Sequence, residues 1–311
     1  MTLRPWHADA WARLQARRER DALPHALLLA GPAGLGKRDF LAAFVKGLLC
    51  QRPVDGVACG TCRSCELVAA GTHPDLIGLS FGLRKDGVTR SEIVVDQIRD
   101  LSQRLSMASQ FGGWQVVTID PADAMNAAAA NALLKTLEEP TPATLLVLLA
   151  DEPARLPATI RSRCQRIDFL PPSRAVALDW LRAQGVTDAP AALDAAGGNP
   201  GMARTWATDG ALKQRGEVRH DLKALAAGRG DAMEVVKRWQ AADPARYLWF
   251  AAQTAADELR ARASGQALPL DSQLDDEGLD GWYARANRAR DALRGPLRTD
   301  LVLLELLAAW R

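Results

Sequence analysis

Residues 31–38 read Gly31-Pro32-Ala33-Gly34-Leu35-Gly36-Lys37-Arg38, GPAGLGKR. Gly31, Gly36 and Lys37 stand at the spacing of a phosphate-binding loop, G-x-x-x-x-G-K, with Gly34 inside it. The apolar run HALLLAG (25–31) precedes the loop and a helical stretch follows, so it joins a buried strand to a helix. In that setting backbone N–H groups converge on phosphate oxygens, the helix N-terminus favours negative charge, and Lys37 reaches the outer phosphates. The plain alternative is a glycine-rich turn carrying a surface lysine.

The eighth position limits what such a loop can do. A serine or threonine hydroxyl there would ligate magnesium, whereas Arg38 has no lone pair to offer. The other half of the site belongs at the end of a second strand, and QVVTID (115–120) ends on Asp120, placed to help hold the metal. Pro121 follows, where a carboxylate would activate water; losing a general base costs about 10²–10⁴ in rate. Asp123 is either a substitute base or, more simply, a surface carboxylate. The nucleotide-binding set is therefore degenerate: Gly31, Gly34, Gly36, Lys37, Arg38 and Asp120. Intrinsic ATPase activity is not expected, and binding of ATP without hydrolysis stays open.

Working outward, DLIGLS (75–80), TLLVLLA (144–150) and CQRIDF (164–169) also read as buried strands. Between them Val94, Ile98, Leu101 and Leu105 recur at helical spacing, and NAAAANALLKTLEE (126–139) opens on a capping asparagine and stops before Pro140. This alternation implies a parallel sheet covered by helices. After PPS (171–173) only helical segments follow, broken at GGNPG (197–201), GRGD (228–231), SGQALPLDSQ (264–273) and RGP (294–296); LRTDLVLLELLAAW (297–310) is apolar enough for a buried helix.

Cys50, Cys59, Cys62 and Cys65 are spaced C-x8-C-x2-C-x2-C, with Gly56 and Gly60 permitting tight turns. Four converging thiolates complete a closed tetrahedral shell, so structural Zn²⁺ is the expected cofactor, an iron–sulfur cluster or four unrelated thiols being the competing readings. The segment interrupts the α/β domain as an insertion. In TIRSRC (159–164), Arg161 and Arg163 flank Ser162, with Cys164 next. By charge alone the pair reads as solvated or salt-bridged arginines; the functional reading is an arginine finger for an adjacent subunit.

The totals bound the rest. A chain of 311 residues suggests two or three domains, and a formal charge of only +2 excludes nucleic-acid binding by overall field, leaving local or shared contacts. No signal peptide or run of about 20 apolar residues is present, and clustered cysteines without export signals point to the cytoplasm, with no membrane partner.

Together HALLLAGPAGLGK (25–37), the cysteine run followed by GTHPDL (71–76), NALLKTLEEP (131–140) and TIRSRC closely resemble the delta-prime subunits of the bacterial DNA polymerase III clamp loader, within the AAA+ superfamily. The resemblance is strong over about 5–170; beyond 171 it rests on GGNPG and the helical organisation. It implies a RecA-like α/β AAA+ domain over 1–170 with a zinc module at 50–65, a small helical lid over 171–209 and an all-α collar over 210–311. It further implies a five-membered ring with motor (gamma/tau) and delta subunits, acting on the sliding clamp and primer–template DNA through the complex. Ser162-Arg163-Cys164 becomes the trans-acting finger with Arg163 at its tip. The motors' sensing arginine falls near Gly201 here, with Arg204 one helical step later, and ADEP (150–153) departs from their threonine-containing motif. The expectation is a stator-like, non-hydrolysing member that lends Arg163 to a neighbour. The rivals are an ATPase motor of the same complex with unconventional magnesium ligation, and a stand-alone zinc protein that binds nucleic acid.

Overall fold

The computed structural model describes residues 3–83, 87–293 and 298–310. The chain divides into two compact units, Met1–Val176 and Ala177–Arg311.

In the first unit five strands form one parallel sheet: β1 (Ala26–Ala30), β2 (Leu76–Leu79), β3 (Gln115–Ile119), β4 (Thr144–Ala150) and β5 (Gln165–Asp168), in the order β2-β3-β4-β1-β5. Every residue of β1 and β4 is buried. Successive side chains serve opposite faces, so both faces of these central strands must be apolar, hence the unbroken runs in the sequence. Leu28, Leu146 and Leu148 join Ile98, Leu101 and Leu105 of helix α4 (Val95–Leu105) and Leu133 and Leu137 of α5 (Ala127–Glu138). On the other face Leu27, Leu29, Leu145 and Leu149 meet Leu14 of α1 (Ala8–Glu19) and Phe40, Phe44 and Leu48 of α2 (Lys37–Leu49). The cap expected at Asn126 is present: its side chain accepts the N–H of Ala129 at 2.9 Å. Two short helices complete the unit, α3 (Arg63–Ala69) and α6 (Ala158–Arg161).

The loop after β1, the end of β3 and the end of β4 all lie at the carboxyl edge of the sheet, with β4 between its two neighbours. That edge is where ligands gather in open α/β sheets.

Helix α7 (Arg174–Ala183) leads into the second unit, which contains no strand among the described residues. Ala177, Leu181, Leu193 and Ala203 pack with helices α8 (Ala189–Ala195) and α9 (Pro200–Trp206), where Asn199 caps α9 at the GGNPG break. A larger core surrounds Trp239, Phe250 and Trp282, built by α10 (Ala211–Ala226), α11 (Ala232–Ala241), α12 (Pro244–Ser264), α13 (Asp276–Ala292) and α14 (Thr299–Ala308). The Trp249 indole donates to the carbonyl of Ala195 at 3.0 Å, tying the larger group to α8. The last helix is buried on one face only, for Leu303 and Leu307 are sequestered while Leu301 is 54% exposed. The RGP break expected at 294–296 lies outside the described residues.

Candidate functional site

The phosphate loop has the backbone its glycines predict. Gly31 and Gly36 both take positive φ, and an added Cβ would meet the Phe169 carbonyl oxygen at 2.1 Å and the Arg4 guanidinium at 2.5 Å. Glycine is therefore required at Gly31 for backbone and for space, since the Phe169 carbonyl cannot give way, and at Gly36 for its left-handed backbone, since the Arg4 side chain can move aside.

Its side chains are turned inward. Lys37, 2% exposed, donates to the carbonyls of Gly31 and Pro32 and forms an ion pair with Asp151 at 2.6 Å. Burial lowers its pKa, opposed by the Asp151 carboxylate. Arg38 donates through Nε and Nη2 to the two oxygens of Asp120, at 2.6 and 2.7 Å, and reaches Asp151 at 3.5 Å. The bidentate bond to Asp120 holds its pKa above the ordinary arginine value. Two cations and two carboxylates thus neutralise one another across the ends of β1, β4 and β3.

The N-terminal residues cover the loop from outside. Arg4 donates to the carbonyl of Gly34 at 2.6 Å and pairs with Asp39 at 3.0 Å. The carbonyl of Leu35 accepts from the Trp6 indole at 3.0 Å and from His7 Nε2 at 2.8 Å. His7 lies among the rings of Trp6, Phe40 and Phe169, and burial lowers its pKa.

Asp123 is half-buried, which corrects its reading as a surface carboxylate. It accepts the N–H of Glu152 at 2.7 Å, so it ties down the turn after β4. Asp151 is the residue that sequence reading missed. Its one signal was an acid in ADEP, at the end of an apolar run that a parallel sheet sets beside β1.

The four cysteines converge as their spacing requires. Their Sγ atoms all lie within 4.8 Å of one another, with Cys50 and Cys62 at 3.9 Å. A tetrahedral ion with metal–sulfur bonds of about 2.3 Å needs sulfurs about 3.8 Å apart, so the set fits one. The N–H groups of Arg52 and Cys59 donate to Cys50 Sγ, at 3.4 and 3.3 Å. The Cys59 thiol is lowered to about 6, chiefly by the backbone at Thr61. The segment GTHPDL anchors this knuckle. His73 Nδ1 accepts the Asp75 N–H at 3.1 Å, leaving Nε2–H to donate to Ser64 Oγ at 2.9 Å; Ser64 in turn donates to the Leu49 carbonyl at 2.6 Å. Asp75, buried, accepts from Ser109, Gln110 and Phe111.

Arg163 stands just beyond α6. One arm donates to the Thr159 carbonyl at 3.0 Å and the other to Glu138 of α5 at 2.5 Å. Beside it Ser162 donates to the Thr159 carbonyl at 3.1 Å, and Cys164 is buried, its thiol pushed up to about 11 by desolvation, as suits a core residue. In the second unit Gly201 is buried in α9, while Arg204 stacks on Trp180 at 5.6 Å and donates to Gln184 at 3.3 Å.

The profile of the family described as DNA polymerase III, delta subunit, matches residues 6–173. The DNA polymerase III subunit delta' of Pseudomonas aeruginosa is 40% identical over 252 residues, 79% of this chain and 74% of that protein. This chain belongs to the delta-prime family of DNA polymerase III subunits. The delta' subunit of Escherichia coli is 38% identical over 202 residues, covering 64% of this chain and 59% of that protein. A DNA polymerase III gamma subunit-related protein of Thermotoga maritima aligns in structure over 97% of this chain and 98% of its own, with a TM-score of 0.51 and 14% identity. The fold class is thus the one expected, a parallel-sheet α/β domain with a cysteine insertion followed by helices. The family profile spans the phosphate loop, the cysteines and Arg163 alike. No helix among the described residues is long and apolar enough to cross a membrane.

Proposed function

We propose that the chain is a non-hydrolysing, stator-like subunit of the clamp loader, which presents Arg163 to the nucleotide site of a neighbouring motor subunit. The observation that carries this reading is the guanidinium of Arg38 on both oxygens of Asp120. A divalent cation held by Asp120 would have to displace a charge-assisted bidentate pair, and position 38 offers it no oxygen in return. Lys37, committed to Asp151, is likewise withdrawn from any phosphate. Arg163 differs: of its five N–H donors, two are engaged by Thr159 and Glu138, which fix the side chain and leave donors for an incoming phosphate.

In this reading the Zn²⁺ held by Cys50, Cys59, Cys62 and Cys65 is structural, because four sulfurs leave no open coordination position. Helices α7–α9 form a lid and α10–α14 a collar that joins the gamma/tau motors and delta in the ring. The ring loads the sliding clamp onto primed DNA in the cytoplasm.

The test is reconstitution with motor and delta subunits. Arg163→Ala is expected to leave assembly intact and to lower the ATPase rate of the one site it serves by about 10³. Unchanged single-site turnover would overturn the assignment. Steady ATP turnover by the isolated chain, abolished by Lys37→Ala, would favour the motor reading instead.

A further inference from the structure

A groove of about 360 Å³ runs between α1 and β5, an outer strand of the sheet, and four arginines line it: Arg13, Arg17, Arg20 and Arg166. Arg13 and Arg17 stand at i and i+4 on one face of α1, and Arg20 follows at its C-cap, so the row extends over about 10 Å. Buried Leu14 and Ile167 contribute to an apolar floor, and no carboxylate belongs to the lining. Arg166 is paired with Asp168 at 2.7 Å, just outside the groove, and Arg17 is held by the neutral amide of Gln165 at 2.6 Å. Among the described residues no acid forms a salt bridge with Arg13, Arg17 or Arg20. In a chain with 39 basic and 37 acidic side chains, three uncompensated arginines around one small volume are a local excess of positive charge. Their mutual repulsion is relieved when an anion enters.

We propose that this groove binds the phosphodiester backbone of a single nucleic-acid strand. Guanidinium groups are charged at every working pH and match phosphate oxygens in pairs. Successive phosphates along a single strand lie further apart than the ~3.4 Å axial rise of each strand in a duplex, so the arginine row, about 10 Å long, spans two to three of them. At about 360 Å³ the groove is far smaller than the volume a duplex would fill, and its apolar floor accepts sugars. None of these residues belongs to the phosphate loop, the cysteine knuckle or the Arg163 segment, so the proposal stands or falls separately from the function proposed above.

The experiment is fluorescence anisotropy of the full chain with a labelled single-stranded oligonucleotide, from about 20 to about 200 mM salt. Three contacts predict a slope of log K against log salt near about −2, and Arg13→Ala with Arg20→Ala should reduce its magnitude by about 1.4. Alanine preserves the helix, so folding is not in question. Arg229→Ala with Lys237→Ala, an equal charge change in the second unit, should leave the slope alone. Absence of binding at low salt, or equal loss from both pairs, overturns the proposal. So does a polyglutamate of equal charge that competes as well as the unlabelled oligonucleotide, for the groove would then take acidic peptides.

Discussion

The phosphate loop and the cysteine knuckle are both ion sites by sequence, and the fold treats them in opposite ways. At the loop the carboxylates of Asp120 and Asp151 receive their counter-charge from Arg38 and Lys37 of the same chain. At the knuckle four sulfurs meet within 4.8 Å, and among the described residues no side-chain cation hydrogen-bonds to them, Arg18 acting on Cys50 only by its field while its donors go to the Gly47 and Gly56 carbonyls. An ion site that carries its own cation has little to gain from a metal. One that gathers only thiolates depends on a metal for its stability.

The largest expected effect lies at the knuckle. Cys62→Ser, or exhaustive chelation, should remove one equivalent of zinc and destabilise the first unit by several kcal/mol, a fall in Tm of about 10 °C. Elemental analysis of untagged protein that finds no metal would erase the contrast. A smaller effect is expected at the loop. Arg38→Thr supplies the missing hydroxyl and frees Asp120, so calorimetry should show nucleotide affinity rising about tenfold in magnesium over chelator. Hydrolysis should still be absent, because Pro121 is unchanged. Equal affinity with and without magnesium would mean that the guanidinium is not what bars the cation.

The smallest effect concerns His7 beneath the loop. Burial puts its folded pKa below the ordinary 6.5, so the unfolded chain binds the proton more readily. Its contribution to stability is complete above 6.5 and is lost as pH falls from there through the folded value. Tm measured from pH 7.5 down to about 5.5 should therefore fall more steeply for the wild type than for His7→Gln. Parallel curves would show that His7 does not carry this part of the acid sensitivity.

Much of this was legible beforehand for particular reasons. The β1 and β4 runs are continuous because helices cover both faces of the sheet. Asn126 announces α5 because its side chain satisfies an otherwise free N–H. The cysteine spacing is legible because one knuckle holds all four ligands within a few turns of chain. The latch was not legible, since Arg38 meets Asp120 and Asp151 across separations of 82 and 113 residues. Arg4 meets the loop from 30 residues upstream, and no pattern around it signals that contact.

By itself, then, the order of residues determined the strands, the caps, the sulfur cluster and the absence of a hydroxyl after Lys37. These depend on neighbours along the chain and on the chemistry of single side chains. Only the tertiary structure decided which charges cancel. Parallel β1, β3 and β4 end at one edge, and Coulomb attraction acts on distance in space, whatever the separation in sequence.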